Sequence, residues 1–356
     1  MSKRYLKLIL ALIFVLFSYF FGQYFPAFFT EVYNQKLYRY LDEFLNFISN
    51  LFPFSLGDVM YGLIIVTFFI KCILYIKKKK YENLIVFILG SVLLFLGTFQ
   101  IFWGWNNYKY SVTHQLQLNN GYTQQAIDST TNNLIKIVNE QQLRITNDSL
   151  NKVMITKNLF VFNETARINY TKLPAHLKNI LVNNKINNVK SSLYSSLLSY
   201  SGFSGYFNPF THENQINMEI PSIGMPITVA HEMAHQLGIA SESEANFYGY
   251  MVMLQSEDLK YQYAANLYAL KYCLKQYRYE NEETYQLLLN RLNAGVQKNI
   301  FETEHFWESK RNVSSFIFKH LYGRFLKINN QKDGIKSYNR FVDLLINYNI
   351  KYNSKN

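Results

Sequence analysis

Three apolar runs within the first 106 residues decide what this chain can fold into. Residues 6–24, 56–76 and 84–103 are almost unbroken hydrophobic sequence. Each is about 20 residues long, the length at which a helix rising roughly 1.5 Å per residue crosses a hydrocarbon core of roughly 30 Å. A single run of this kind can be a buried core helix, but three in so short a stretch read as membrane spans. The first follows Lys3 and Arg4, as a signal peptide would. The sequence after it, FGQYFPAFFTEV, is bulky and offers no small-residue cleavage site, so the run reads as an uncleaved anchor.

Positive charges give an orientation. Lys3, Arg4 and Lys7 before the first run and Lys77–Lys80 after the second belong on the cytoplasmic side, and Trp103 and Trp105 form an aromatic belt on the other. The expected layout is a multi-pass protein of a bacterial cytoplasmic (inner) membrane with its N-terminus inside. Residues 1–106 form a membrane domain and residues 107–356 an extracytoplasmic one. Between the first two spans, Leu37, Leu41, Phe44, Leu45, Ile48 and Leu51 recur at helical steps. Residues of about 30–51 therefore read as an amphipathic helix, lying on the outer membrane surface or packed on the soluble domain. Pro53 ends it, and Ser55 or Asp58 can cap the second span.

The net charge of +12 invites a nucleic-acid reading, but the basic residues are scattered and the one dense run abuts a span. A lipid bilayer is the expected partner, and nucleic acid is not; no oligomeric state follows. Cys72 lies in an apolar run and Cys273 far from it, so no disulfide is expected.

The second domain is polar and reads as mostly helical, with segments at residues 123–143, 188–199, 242–254, 257–277, 283–296, 309–328 and 336–348. The best strand signal is NQINMEIP at 214–221, where Ile216, Met218 and Ile220 alternate with polar residues. The expected fold class is mainly α, three transmembrane helices followed by a mostly helical domain with a small sheet.

The chemistry sits in VAHEMAHQLGIASESEAN, residues 229–246. Pro226 suits a first helical turn and Gly238 a C-terminal stop. His231 and His235, four apart, project from one face and can share a Zn2+ ion, with Glu232 close enough to serve as base. A catalytic site needs a third protein ligand beside water. Three residues after the glycine, where one large class places it, stands Ser241, a poor ligand. A glutamate from the next helix remains, and Glu244 is preferred, with Glu242 as the alternative. Ser241 and Glu244 also spell a capping box, so Glu244 could instead close the helix start. His212 and Glu213, in NPFTHEN, are candidates to support the ligands, as is Asn246. Tyr338 is the chosen candidate for an oxyanion donor. His114, His176, His305 and His320 stand alone and read as ordinary residues.

PFSLGD at 53–58, WGWNNY at 103–108, GYFNPFTHENQIN at 205–217, HEMAHQLGIASESEANF at 231–247 and FLKINNQKDGIKSYNRFVDLLINY at 325–348 together resemble a family of bacterial membrane proteins of unknown function. Its members carry N-terminal membrane helices and an HExxH zinc-peptidase-like domain of the glutamate-ligand (gluzincin) type. The resemblance implies a zincin-like domain in which His231, His235 and Glu244 hold Zn2+ and Glu232 is the general base. The expected function is a membrane-anchored zinc metallopeptidase that hydrolyses peptide bonds outside the cytoplasmic membrane, its water activated by the metal. Peptides, proteins and cell-wall peptides are all candidate substrates. The alternative is a non-catalytic zinc-binding scaffold or receptor of the envelope.

Overall fold

The computed structural model describes residues 3–182, 185–329 and 338–352. The chain is mainly α and divides into two units, Met1–Tyr110 with Asn208–Glu213, and Ser111–Phe207 with Asn214–Asn356.

The first unit contains α1 (Lys3–Tyr24), the single turn α2 (Pro26–Phe28), a π-helical stretch (Phe29–Tyr38), α3 (Arg39–Ser49), α4 (Leu56–Lys77) and α5 (Tyr81–Phe102). Helices α1, α4 and α5 are long and apolar enough to cross a membrane. Their Leu, Ile and Phe side chains largely face outward, as lipid allows and water does not. The amphipathic segment is arranged the other way round from a helix on a soluble core. In α3 the polar residues Asp42, Asn46 and Ser49 are buried, while Phe44, Phe47 and the following Leu51 are exposed. Ser55 caps α4, its hydroxyl accepting from the Asp58 N–H at 3.0 Å.

Residues Asn208–Glu213 belong to this unit although they lie more than one hundred positions further along the chain. Phe210 sets its ring among those of Phe95, Tyr61 and Phe102, with centroids 5.6 to 6.3 Å away. Asn208 and Thr211 pack on Gly57 so closely that a Cβ there would lie within 2.8 Å of both.

The second unit opens with α6 (Val112–Gln115), α7 (Gln124–Thr146), α8 (Leu159–Lys172), α9 (Ala175–Lys178) and α10 (Ser195–Ser201). It continues with α11 (Met225–Gln236), α12 (Glu242–Leu254), α13 (Leu259–Glu280), α14 (Glu282–Leu289), α15 (Ala294–Ser309), α16 (Val313–Ile328) and α17 (Tyr338–Tyr352). A three-stranded sheet in the order β1-β3-β2 is built from β1 (Lys190–Ser191), β2 (Gly205–Asn208) and β3 (Glu213–Ile216), with β1 parallel to β3. The core gathers around α11 and α12, where Met225, Phe247, Tyr248, Tyr263 and Phe341 are fully buried.

Several elements differ from the sequence reading. Residues 188–199 do not form one helix: β1 occupies part of the segment, and α10 starts at Ser195. Ser192 N–H donates to Ile216 O at 3.0 Å, so the chain here takes a sheet edge and not a helical turn. The strand stops at Ile216, and it is the central strand. The segment 283–296 is broken between α14 and α15, and α8 lies where no helix was expected. The two cysteines are free.

Candidate metal centre

Helix α11 carries the HExxH motif through the core. Pro226 lies in its first turn, where a missing N–H has no partner to lose. Gly238, at φ +85°, ends it. This left-handed turn lets the N–H groups of Gly238 and Ile239 reach back to the carbonyls of His235 and Ala234, at 2.9 and 3.0 Å. The turn also brings the Ile239 carbonyl to 2.7 Å from His235 Nδ1. Nδ1 therefore carries the proton, and Nε2 turns toward the site.

The Nε2 atoms of His231 and His235 stand 3.1 Å apart, one helical turn from each other. Helix α12 crosses close to α11 at Gly249, where a Cβ would lie 3.1 Å from the Ile227 carbonyl. The approach brings Glu242 Oε2 to 3.4 Å from His231 Nε2 and 3.8 Å from His235 Nε2. The other Glu242 oxygen accepts from Tyr322 Oη, on α16, at 2.6 Å. Asn246 lies one turn beyond Glu242, and its Nδ2 donates to Tyr272 Oη at 3.4 Å. Its own Oδ1 accepts from Tyr268 Oη at 2.6 Å.

The preferred third ligand, Glu244, is elsewhere. It lies two residues beyond Glu242, which on a helix is roughly 200° around the axis. Its Oε1 accepts from the Val112 N–H at 2.7 Å, at the start of α6. The carboxylate beside the histidines is the alternative, Glu242. The capping box is not formed either. Ser241 occupies the N-cap position with no side-chain cap bond, and its hydroxyl pairs with that of Ser243 at 2.9 Å.

Glu232 is 3% exposed, and its Oε2 has no hydrogen-bond partner. A carboxylate oxygen in that state is rare in a folded protein and points to chemistry or to a missing partner. Strand β2 lies directly behind it: a Cβ on Gly205 would stand 2.7 Å from Glu232 Oε1. Ligand atoms of His231, Glu232 and His235 all lie within 4.8 Å of one another.

The charges follow from burial and from these neighbours. Burial pushes the Glu232 carboxyl up to about 8, with the charge of His231 opposing the shift and that of Glu242 adding to it. Burial pulls His235 down to about 4. On His231 burial acts downward, but the Glu242 hydrogen bond and the charges of Glu232 and Glu242 outweigh it and raise the imidazole. On Glu242 burial acts upward, and the two histidines and Tyr322 override it, leaving the carboxyl at about 2. Two atoms bound by one tetrahedral zinc at roughly 2.0–2.1 Å stand roughly 3.3 Å apart. The separations of 3.1, 3.4 and 3.8 Å between the two nitrogens and Glu242 Oε2 suit that requirement with small side-chain shifts.

The remaining candidates fall in other places. His212 and Glu213 belong to the first unit. His212, at φ +52°, places Nδ1 3.1 Å from Asp42 Oδ1 and Nε2 3.3 Å from the Phe102 carbonyl. The Glu213 carboxylate accepts from the N–H groups of Leu56 and Gly57, at 3.1 and 2.6 Å, at the N-terminus of α4. Tyr338 is the first residue of α17, and its side chain lies outside the described residues. Among the described residues Tyr322, which the sequence reading missed, reaches the cluster. Nothing local marks it out among 29 tyrosines.

The class of protein is therefore a mainly α membrane protein with a buried His–Glu–His cluster on its central helix. A family model described as "Protein of unknown function (DUF3810)" matches residues 33–346, and the chain belongs to that family. The description assigns no activity. No curated protein and no solved structure matches the chain.

Proposed function

We propose that this protein is a membrane-anchored zinc-dependent hydrolase of peptide bonds, working on the extracytoplasmic side. The observation that carries the reading is the convergence of His231 Nε2, His235 Nε2 and Glu242 Oε2 beside a buried Glu232 oxygen that has no other partner. His231, His235 and Glu242 would hold the metal. Zinc at such a site supplies a Lewis acid that lowers the pKa of water toward about 7.

The chain's own groups do the rest. Glu232 accepts the proton of the attacking water and delivers it to the leaving amine. The Ile239 carbonyl fixes the tautomer of His235. Tyr322 holds one Glu242 oxygen so that the other stays turned to the histidines. An extended peptide is best accommodated along β2, the edge strand whose Gly205 backs Glu232, since β3 is flanked on both sides. Orientation outside the cytoplasm rests on the lysine clusters flanking the spans.

The test is metal content together with turnover. Purified wild-type protein should bind one zinc and cleave unstructured peptides, and Glu232→Gln should keep the zinc and lose the cleavage. Wild-type protein that takes up no zinc at neutral pH sinks the proposal. Zinc uptake with no Glu232-dependent cleavage of any peptide would leave a zinc-binding scaffold instead.

A further inference from the structure

Helix α16 shows two different sides. One carries Tyr322, bonded to Glu242 and with its ring 5.0 Å from that of Phe203. The other bears Val313, Phe316, Ile317 and Ile328, of which Val313 is 78% and Phe316 73% exposed. On a helix these positions fall in one stripe with His320, Arg324 and Lys327, which are exposed too. Beside it, α10 exposes Leu197 and Tyr200. Elsewhere in the second unit exposed apolar side chains such as Leu150 and Ile168 stand apart, which is ordinary. A stripe of large apolar groups on a helix is not.

Charge says what would cover it. Between Glu308 and Asp333 the chain has no Asp or Glu, while Arg311, Lys319, Arg324 and Lys327 all fall in that interval. Lys310 is already paired with Glu219 at 3.0 Å. A second copy of the chain placed symmetrically on this face would set Arg324 and Lys327 against their own kind. An anionic lipid surface satisfies both features: the apolar side chains enter the headgroup boundary while the long basic ones reach the phosphates. The spans α1, α4 and α5 already tie the chain to a bilayer.

We propose that the outward stripe of α16 docks on an anionic phospholipid surface. A lipid contact on that side of the helix is then one side chain away from the histidine cluster on the other. The proposal does not depend on zinc, and its test reads lipid contact alone.

The experiment uses the full-length chain with Cys72→Ala, since Cys273 is buried and will not label. An environment-sensitive fluorophore is placed on Ile317→Cys, and the protein is reconstituted in phosphatidylcholine vesicles with or without phosphatidylglycerol. The acyl chains carry bromine as quencher. Emission should be lost on adding phosphatidylglycerol and recovered at high salt or in the Arg324→Glu/Lys327→Glu variant. The same label on Leu150→Cys should not respond. The proposal is overturned by emission at position 317 that ignores lipid composition. It is equally overturned by shielding that grows with protein density and not with phosphatidylglycerol, which would mark a second copy as the occupant.

Discussion

The chain contains two His-Glu dipeptides, nineteen positions apart, and their side chains are engaged in opposite ways. At His212-Glu213 every functional atom is engaged inside the first unit. The imidazole lies between Asp42 and the Phe102 carbonyl, and the carboxylate closes the N-terminus of α4. At His231-Glu232 the pair lies on a regular helix, with one imidazole nitrogen facing two other ligand atoms and one carboxylate oxygen left without a partner. The same dipeptide is a structural clamp where backbone groups and a carboxylate engage it, and is left open toward other side chains where those partners are withheld. The difference lies in backbone context. His212 sits at a left-handed turn between two strands, whereas His231 has a second histidine four residues on, about one helical turn ahead.

The sharpest way to break this contrast is to remove one imidazole from each pair. His235→Ala should abolish stoichiometric zinc binding, measured by metal analysis after dialysis, while leaving the fold near its original stability. His212→Ala should do the reverse. It removes the imidazole that lies 3.1 Å from the buried Asp42 carboxylate, and losing a buried hydrogen bond of this kind costs about 1–3 kcal/mol. Its zinc content should be unchanged. Zinc loss in His212→Ala with full retention of stability would erase the distinction.

Glu232 and Glu213 make a second comparison. If Glu232 is the base proposed above, Glu232→Gln should lower peptide turnover by about 10²–10⁴-fold with zinc retained. Glu213→Gln should leave turnover per folded molecule unchanged, because its carboxylate serves the backbone of α4. Equal losses in the two variants would show that Glu232 acts only through the fold.

What the sequence made legible here is what local rules determine. The three spans, the ends of α11 at Pro226 and Gly238, and the facing of His231 and His235 follow from length, φ preference and helical period. What it hid is set by tertiary contact. Glu242 and Glu244 lie two residues apart at one helix start, and only the crossing of α12 over α11 at Gly249 decides which faces the histidines. Tyr322 arrives from a helix eighty residues away. The periodicity of α3 correctly outlines an apolar face, but a period cannot say which side is solvent. Beside membrane helices, Asp42 and Asn46 turn inward and the apolar face turns out.

The two glutamates of α12 give a comparison of intermediate size. Glu242→Gln should weaken zinc affinity more than any change outside the ligand set. Tyr322→Phe, which frees only the second Glu242 oxygen, should weaken it about 10–100-fold, as loss of a ligand's supporting partner does. Glu244→Gln should leave affinity near wild type and act on stability, through its bond to Val112 N–H. Competition with a chromogenic chelator ranks the three. If Glu244→Gln proved the weakest binder, Glu244 and not Glu242 would be the ligand.

The smallest expected effect concerns Ser241. A serine at an N-cap position ordinarily loses about 1 kcal/mol on replacement by alanine, because its hydroxyl satisfies a free N–H of the first turn. Here the hydroxyl makes no such bond and is held by Ser243, while the start of α12 is fixed through the Ser241 carbonyl, which accepts from Ala245 N–H at 2.9 Å. Alanine retains that carbonyl. Ser241→Ala should therefore change unfolding free energy by less than about 0.5 kcal/mol, and leave zinc affinity as it was. A loss near the full cap value in denaturant titration would mean that Ser241 and Glu244 do close the helix together.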